Sequence, residues 1–162
     1  MRERITVRVL LFDIVGRILL MKGRLPNRPP GSGVWFTVGG GADPGETLEA
    51  CALREIAEES GFTDVTLGPA IWRRTAPGML PDGEKVMQIE TYMVAWVPAG
   101  EPVRDNWEAH EHDLVDDMRW WTLNDLAGCG ERVFPERMLE LLPDVAAGRY
   151  PETLLDITVK RG

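Results

Sequence analysis

Three glutamates, Glu55, Glu58 and Glu59, stand three and four positions apart in a stretch with helical patterning, which places all three carboxylates on one helix face. Like charges held that closely repel unless a cation joins them. The crowded acidic face is therefore built to hold cations. Ala50, Leu53, Ile56 and Ala57 fall on the opposite arc and are expected to pack on a core. Just upstream, Gly39, Gly40 and Gly41 allow the backbone to take positive φ and approach a ligand or another chain closely. Asp43, Pro44 and Gly45 then make a turn, and Glu46 and Glu49 near the helix start suit the helix dipole. The helix is predicted from about Glu46 to Ser60, ending at Gly61 as a left-handed cap.

The elements that must position this helix read as strands and two further helices. Ile5 to Asp13 and Arg17 to Met21 flank Val15-Gly16 as a hairpin. Residues 22–33 are rich in Pro, Gly and Asn and form a loop carrying Lys22, Arg24 and Arg28. Val34 to Val38 is a short strand. Val65 to Trp72 and Val86 to Trp96 are strands separated by a loop over 73–85. An acidic stretch from Glu101 to Asp117 contains Trp107, His110 and His112. Met118 to Trp121 is read as the final strand, a small helix begins near Thr122, and an amphipathic helix covers Glu136 to Ala147. With no repeat and no domain-sized linker, residues 1–162 are expected to form one domain, an α+β or α/β sandwich around a mixed sheet.

Composition narrows the partners. The chain has 162 residues, 44% hydrophobic and 27% charged, with a formal net charge of −8. A net acidic surface argues against broad binding to nucleic-acid polymers or anionic membrane, so an anionic substrate needs a local positive device. Two cysteines, Cys51 and Cys129, suit a reducing cytoplasm better than a disulfide scaffold. The first residues interleave charges with apolar residues and read as a strand, not a signal peptide. The sequence carries no decisive association signal and leaves a homodimer open.

From Gly40 the pattern is five residues to Glu46, seven more to Arg54-Glu55, then Ile56, Glu58-Glu59, Gly61 and Phe62. This resembles the Nudix box at every defining position. Trp35 before the glycines and the pair Trp120-Trp121 before a short helix are also placed as Nudix domains place them. The resemblance implies an α/β/α sandwich with the box as a loop-helix-loop. It implies magnesium-dependent hydrolysis of a nucleoside diphosphate linked to another moiety, with manganese as a substitute ion. Glu55, Glu58, Glu59 and the Gly39 carbonyl are then the implied metal ligands. Glu58 and Arg54 belong to the catalytic group, with Arg54 orienting Glu58 or Glu46. A further glutamate from a distant loop is the implied general base; Glu108, Glu111 and Asp113 are available, and Glu111 is preferred.

The resemblance implies a small nucleotide as substrate, either a nucleotide sugar such as ADP-ribose or a nucleoside triphosphate. Arg24, Arg28 and Arg73, with Arg74 beside them, are candidates for its phosphates. Trp72, Trp107 and Tyr92 are candidates for stacking on a base, although core packing is the favoured reading for large residues on strands. Pro77, fifteen positions past Phe62, matches a mark of the ADP-ribose branch but sits in a stretch that also holds Pro81. Thr37-Val38 departs from the Leu-Pro that frequently precedes the glycines, which bears on loop shape. His110 and His112 are read as loop residues. Cys51 is read as a packing residue because magnesium disfavours thiolate. The alternative to a hydrolase is a non-catalytic nucleotide-binding module, or an isomerase, on the same fold.

Overall fold

The computed structural model describes residues 1–23, 33–104, 107 and 115–159. Seven strands, β1 (Arg2–Phe12), β2 (Ile18–Gly23), β3 (Val34–Gly41), β4 (Thr66–Met79), β5 (Lys85–Trp96), β6 (Val115–Trp121) and β7 (Leu155–Asp156), form one sheet in the order β6-β2-β3-β1-β5-β4-β7. It is mixed, because β1–β5 and β4–β7 run parallel while the other pairings are antiparallel. Helix α1 (Leu48–Ser60) covers one face; α2 (Leu123–Gly128) and α3 (Met138–Ala146) cover the other. Alternation along β1 makes the two cores: Val7, Val9 and Leu11 join Ala52 and Ile56 of α1, whereas Leu10 and Phe12 join Leu126, Met138 and Leu142. The α+β sandwich is thus the arrangement found.

The tryptophans hold the second core. Trp35 and Trp121 meet edge to face with centroids 5.0 Å apart, and Trp72 packs on Tyr92 at 5.6 Å, both nearly fully buried. These two residues are therefore core, as the favoured reading had it. Trp107 is also buried and donates its indole N–H to the Glu59 carbonyl.

Several boundaries differ from the sequence reading. The chain turns between β1 and β2 as expected, with the Asp13 carboxylate accepting from the backbone N–H groups of Val15 and Arg17. The two strands nevertheless pair only at Phe12 and Ile18, because β3 inserts between them and pairs with both. Strand β4 does not stop at Trp72. It continues to Met79 because β5 offers an antiparallel partner along its whole length, leaving a short turn closed by Leu80 and Glu84. Pro77 accordingly lies in a strand and not in a loop. It is tolerated there because the outer side of β4 is paired with β7 only at Trp72 and Arg73. Strand β6 begins at Val115, and β7 follows it, so the segment at Met118–Trp121 is not the final strand.

Strand β3 likewise runs past Val38 through all three glycines, paired with β1 from Val38↔Val9 to Gly41↔Thr6. Gly39 has φ 147, and a Cβ there would stand 2.1 Å from the Val7 carbonyl oxygen. Gly39→Ala is therefore expected to destabilise the protein by about 3 kcal/mol or more, through backbone strain and a clash with a rigid strand. Chemical denaturation with unchanged midpoint would contradict this.

Candidate functional site

Helix α1 starts where Thr47 caps it, its hydroxyl accepting from the Ala50 N–H at 3.1 Å, and ends at Gly61 with φ 80. The start is two residues later than the sequence predicts, so Glu46 precedes the helix. The buried arc also differs. Cys51, Ala52, Glu55, Ile56, Glu59 and Ser60 face inward, while Ala50 and Leu53 are exposed. The helix is rotated because its packed side includes two of the glutamates, which meet the glycine end of β3. Glu59 accepts from the Gly39 N–H at 3.2 Å. Glu55 lies directly against Gly40, where a Cβ would stand 2.4 Å from its Oε1. The absence of a side chain at Gly40 makes room for the carboxylate.

Arg54 gathers the remaining acids. Its Nε and Nη2 clamp both oxygens of Glu46 at 2.9 and 2.8 Å. Its Nη1 reaches Glu55 at 3.0 Å and Glu58 at 3.4 Å, and Nη2 also donates to the Gly41 carbonyl at 3.0 Å. Glu46 in turn accepts from the Asp43 N–H, so it ties the preceding turn to the helix. The Arg54 hydrogen bonds hold Glu46 down at about 2. Glu55 and Glu59 go the other way. Burial, opposed for Glu55 by Arg54 and by its hydrogen bond with Glu59, raises its pKa. Burial and then the Glu55 charge raise Glu59 well above the usual carboxylate range. Glu58 is about half exposed at 47%.

Among the described residues, no group of three acidic, cysteine or histidine side chains is placed to hold a metal ion. Instead the Arg54 guanidinium sits between Glu55 and Glu58 as a stand-in cation. The donor set suits a hard divalent ion: carboxylates, with the Gly39 carbonyl beside them. That carbonyl accepts a long 3.4 Å hydrogen bond from Arg8. Cys51 is buried and gives its thiol to the Gly40 carbonyl at 3.7 Å, and burial pushes its pKa up to about 11, as befits a packing residue.

Of the other residues singled out, Arg24, Arg28, Glu108, His110, Glu111, His112 and Asp113 lie outside the described residues. Arg73 is exposed, and strand alternation sets it on the face opposite to Arg74. Arg74 instead lines a groove of about 760 Å³ with Arg132 and Phe134. The sequence reading also passed over Arg4 and Arg8. Both lie on the same face as Arg74: Arg8 pairs with Gly39 and Tyr92, while Arg4 pairs with Gln88, which pairs with Ala76 beside the groove. Their even-numbered spacing, out of step with buried Val7, Val9 and Leu11, was the available signal.

A model of the NUDIX domain matches residues 2–145. The chain belongs to this family. An RNA pyrophosphohydrolase of Caulobacter vibrioides is 33% identical over 131 residues, spanning 76% of this Nudix chain and 74% of the relative. A NUDIX-family hydrolase from Clostridium perfringens superposes with a TM-score of 0.63 at 18% identity, over 88% of this chain and 95% of that one. A C. elegans Ap4A hydrolase gives 0.61 at 18% identity, over 90% and 96%. The two superpositions are likenesses of fold.

The raised pair makes a pH prediction for the metal-free Nudix domain. An unfolded chain ionises both carboxylates freely, whereas the folded chain must bury the charge. Stability is therefore expected to fall as pH rises from the ordinary carboxylate range through the raised folded values. Glu59→Gln removes part of that penalty. In chelator near pH ~8 it is expected to be more stable than wild type by about 1 kcal/mol or more, with the gap closing toward pH ~4. Thermal unfolding across that range checks the sign.

Proposed function

We propose that this chain is a hydrolase that cleaves a pyrophosphate bond in a nucleoside diphosphate linked to another moiety and releases a nucleoside monophosphate. The observation that carries the reading is the meeting of Glu55 and Glu59, both largely buried, with the glycine end of β3, where the Arg54 guanidinium pairs with Glu55. Such a pair is under-neutralised, and a fold that served only packing would gain more from apolar residues there. Family membership and the pyrophosphohydrolase relative support the same reaction.

Magnesium, with manganese as substitute, fits the oxygen donors. Glu55, Glu58, Glu59 and the Gly39 carbonyl would hold it, with Glu58 leaving Arg54 to do so. When bound, the ion supplies charge neutralisation at the phosphates and lowers the pKa of a bound water. The protein groups do the rest. Arg54, anchored on Glu46 and the Gly41 carbonyl, fixes the spacing between the turn and the acids. Arg8, next to Gly39 and near enough to Glu59 to lower its pKa, offers a positive charge to a substrate phosphate. Glu111 is the proposed base that takes the proton of the attacking water. Substrate class is a small nucleotide such as ADP-ribose or a nucleoside triphosphate, and the setting is the cytoplasm, where the unpaired thiols of Cys51 and Cys129 persist.

Incubation with magnesium and a panel of dinucleotides, nucleotide sugars and triphosphates is expected to release nucleoside monophosphate, and chelator is expected to stop it. Glu58→Gln should lower kcat about a hundredfold or more while nucleotide still binds, and Glu111→Gln should lower turnover about a hundredfold. No release from any compound, with Glu58→Gln binding nucleotide as well as wild type, would favour the non-catalytic module.

A further inference from the structure

A helix leaves its last carbonyls without partners of its own, and the last turn of α1 carries Glu58 and Glu59. Gly61 takes the Ala57 carbonyl at 3.0 Å, as a left-handed cap does. The Glu59 and Ser60 carbonyls are held from outside the helix. Val103 donates its N–H to Ser60 at 2.8 Å, and the Trp107 indole donates to Glu59. This segment is pressed onto the helix end. A Cβ on Gly61 would stand 2.2 Å from Val103 Cγ2, and Trp107 belongs to the α1-side core with Cys51, Ile56 and Met118.

The indole is itself fixed. The Trp107 backbone N–H closes a turn onto the Arg104 carbonyl at 3.0 Å, and the Arg104 guanidinium lies 4.9 Å from the ring centroid. The same guanidinium comes within 3.9 Å of Asp117 on β6. With its ring buried and its N–H turned to the helix, Trp107 is not a stacking platform for a base.

Glu59 is thereby gripped at both ends. Its carboxylate accepts from the Gly39 N–H of β3, and its main-chain carbonyl accepts from Trp107. Arg54 donates to Glu55 and Glu58, so the third acid is oriented by a different device. Without the indole N–H, a buried carbonyl loses its partner, and the last turn can recover one by tightening toward 3₁₀ geometry. That change takes the rotation per residue from about 100° to about 120°, which swings Glu59 away from the line of Glu55. We propose that Trp107 is a positioning residue for the metal seat: by holding the Glu59 carbonyl it fixes the last turn of α1, and with it the direction in which the Glu59 carboxylate meets a divalent ion. This rests on the reading of Glu59 as a metal ligand and deepens it.

The test reads the Kd for Mn2+ in the absence of nucleotide, from the electron paramagnetic resonance signal of the free ion. Two changes at the position are compared: Trp107→Phe, and benzothienylalanine in place of Trp107, which keeps the fused ring and exchanges only the N–H for sulphur. Each is expected to weaken Mn2+ about tenfold, the scale on which groups behind a metal ligand act. In the Glu59→Gln background the same changes are expected to shift Kd by less than about twofold, because the ligand through which Trp107 acts is gone. Val145→Ala, in the core on the far side of the sheet, controls for a general loss of stability and should also leave Kd within about twofold. If Trp107→Phe does not fold, the sulphur analogue, with its ring shape kept, carries the comparison. Unchanged affinity in the analogue, an equal loss in the Glu59→Gln background, or an equal loss from Val145→Ala overturns the proposal. Wild type holding Mn2+ no more tightly than Glu59→Gln would instead sink the reading of Glu59 as a ligand, and the proposal with it.

Discussion

Burying two carboxylates side by side is the constraint on which the rest of this structure depends. Glu55 and Glu59 are drawn into the protein against Gly39 and Gly40, where hydrogen bonding to one N–H and the reach of Arg54 offset only part of the cost of removing their charge from water. Everything around them serves that placement. The glycines supply a backbone without side chains, β1 holds that backbone in register, and Thr47 and Gly61 set where the helix begins and ends. Ala52, three residues before Glu55, and Ile56, between the two acids, then lock the helix onto the sheet.

Arg54 explains how such a cluster survives before any ion arrives. It donates to both oxygens of Glu46, shares one nitrogen between Glu55 and Glu58, and reaches the Gly41 carbonyl. A single planar fork thereby joins the turn, the strand and the helix, which a lysine's point charge could not do. On the far side of the sheet the same logic runs with opposite sign. There Arg4, Arg8 and Arg74 collect positive charge in an acidic protein, and Glu90 anchors the last of them.

The sequence by itself determined the reaction type. Glu55, Glu58 and Glu59 at helical spacing, with Arg54 between the turn and the acids and Gly61 beyond them, are local relations set by the 3.6-residue period and by backbone sterics, so they could be read without coordinates. The Thr122 start of α2 and the Met138, Leu142 and Val145 face of α3 were legible for the same reason. What only the tertiary structure decided was every relation between strands. That β3 slips between β1 and β2, that β4 continues through Pro77, and that α1 buries Glu55 and Glu59 in place of Ala50 and Leu53 all depend on partners distant in the chain. The same holds for the arginines: Arg73 and Arg74 are neighbours in sequence and lie on opposite faces, and only the pairing with β5 reveals that Arg74 meets Glu90. A pattern of spacing fixes which side chains share a face, but hydrogen-bond register between strands decides what that face looks upon.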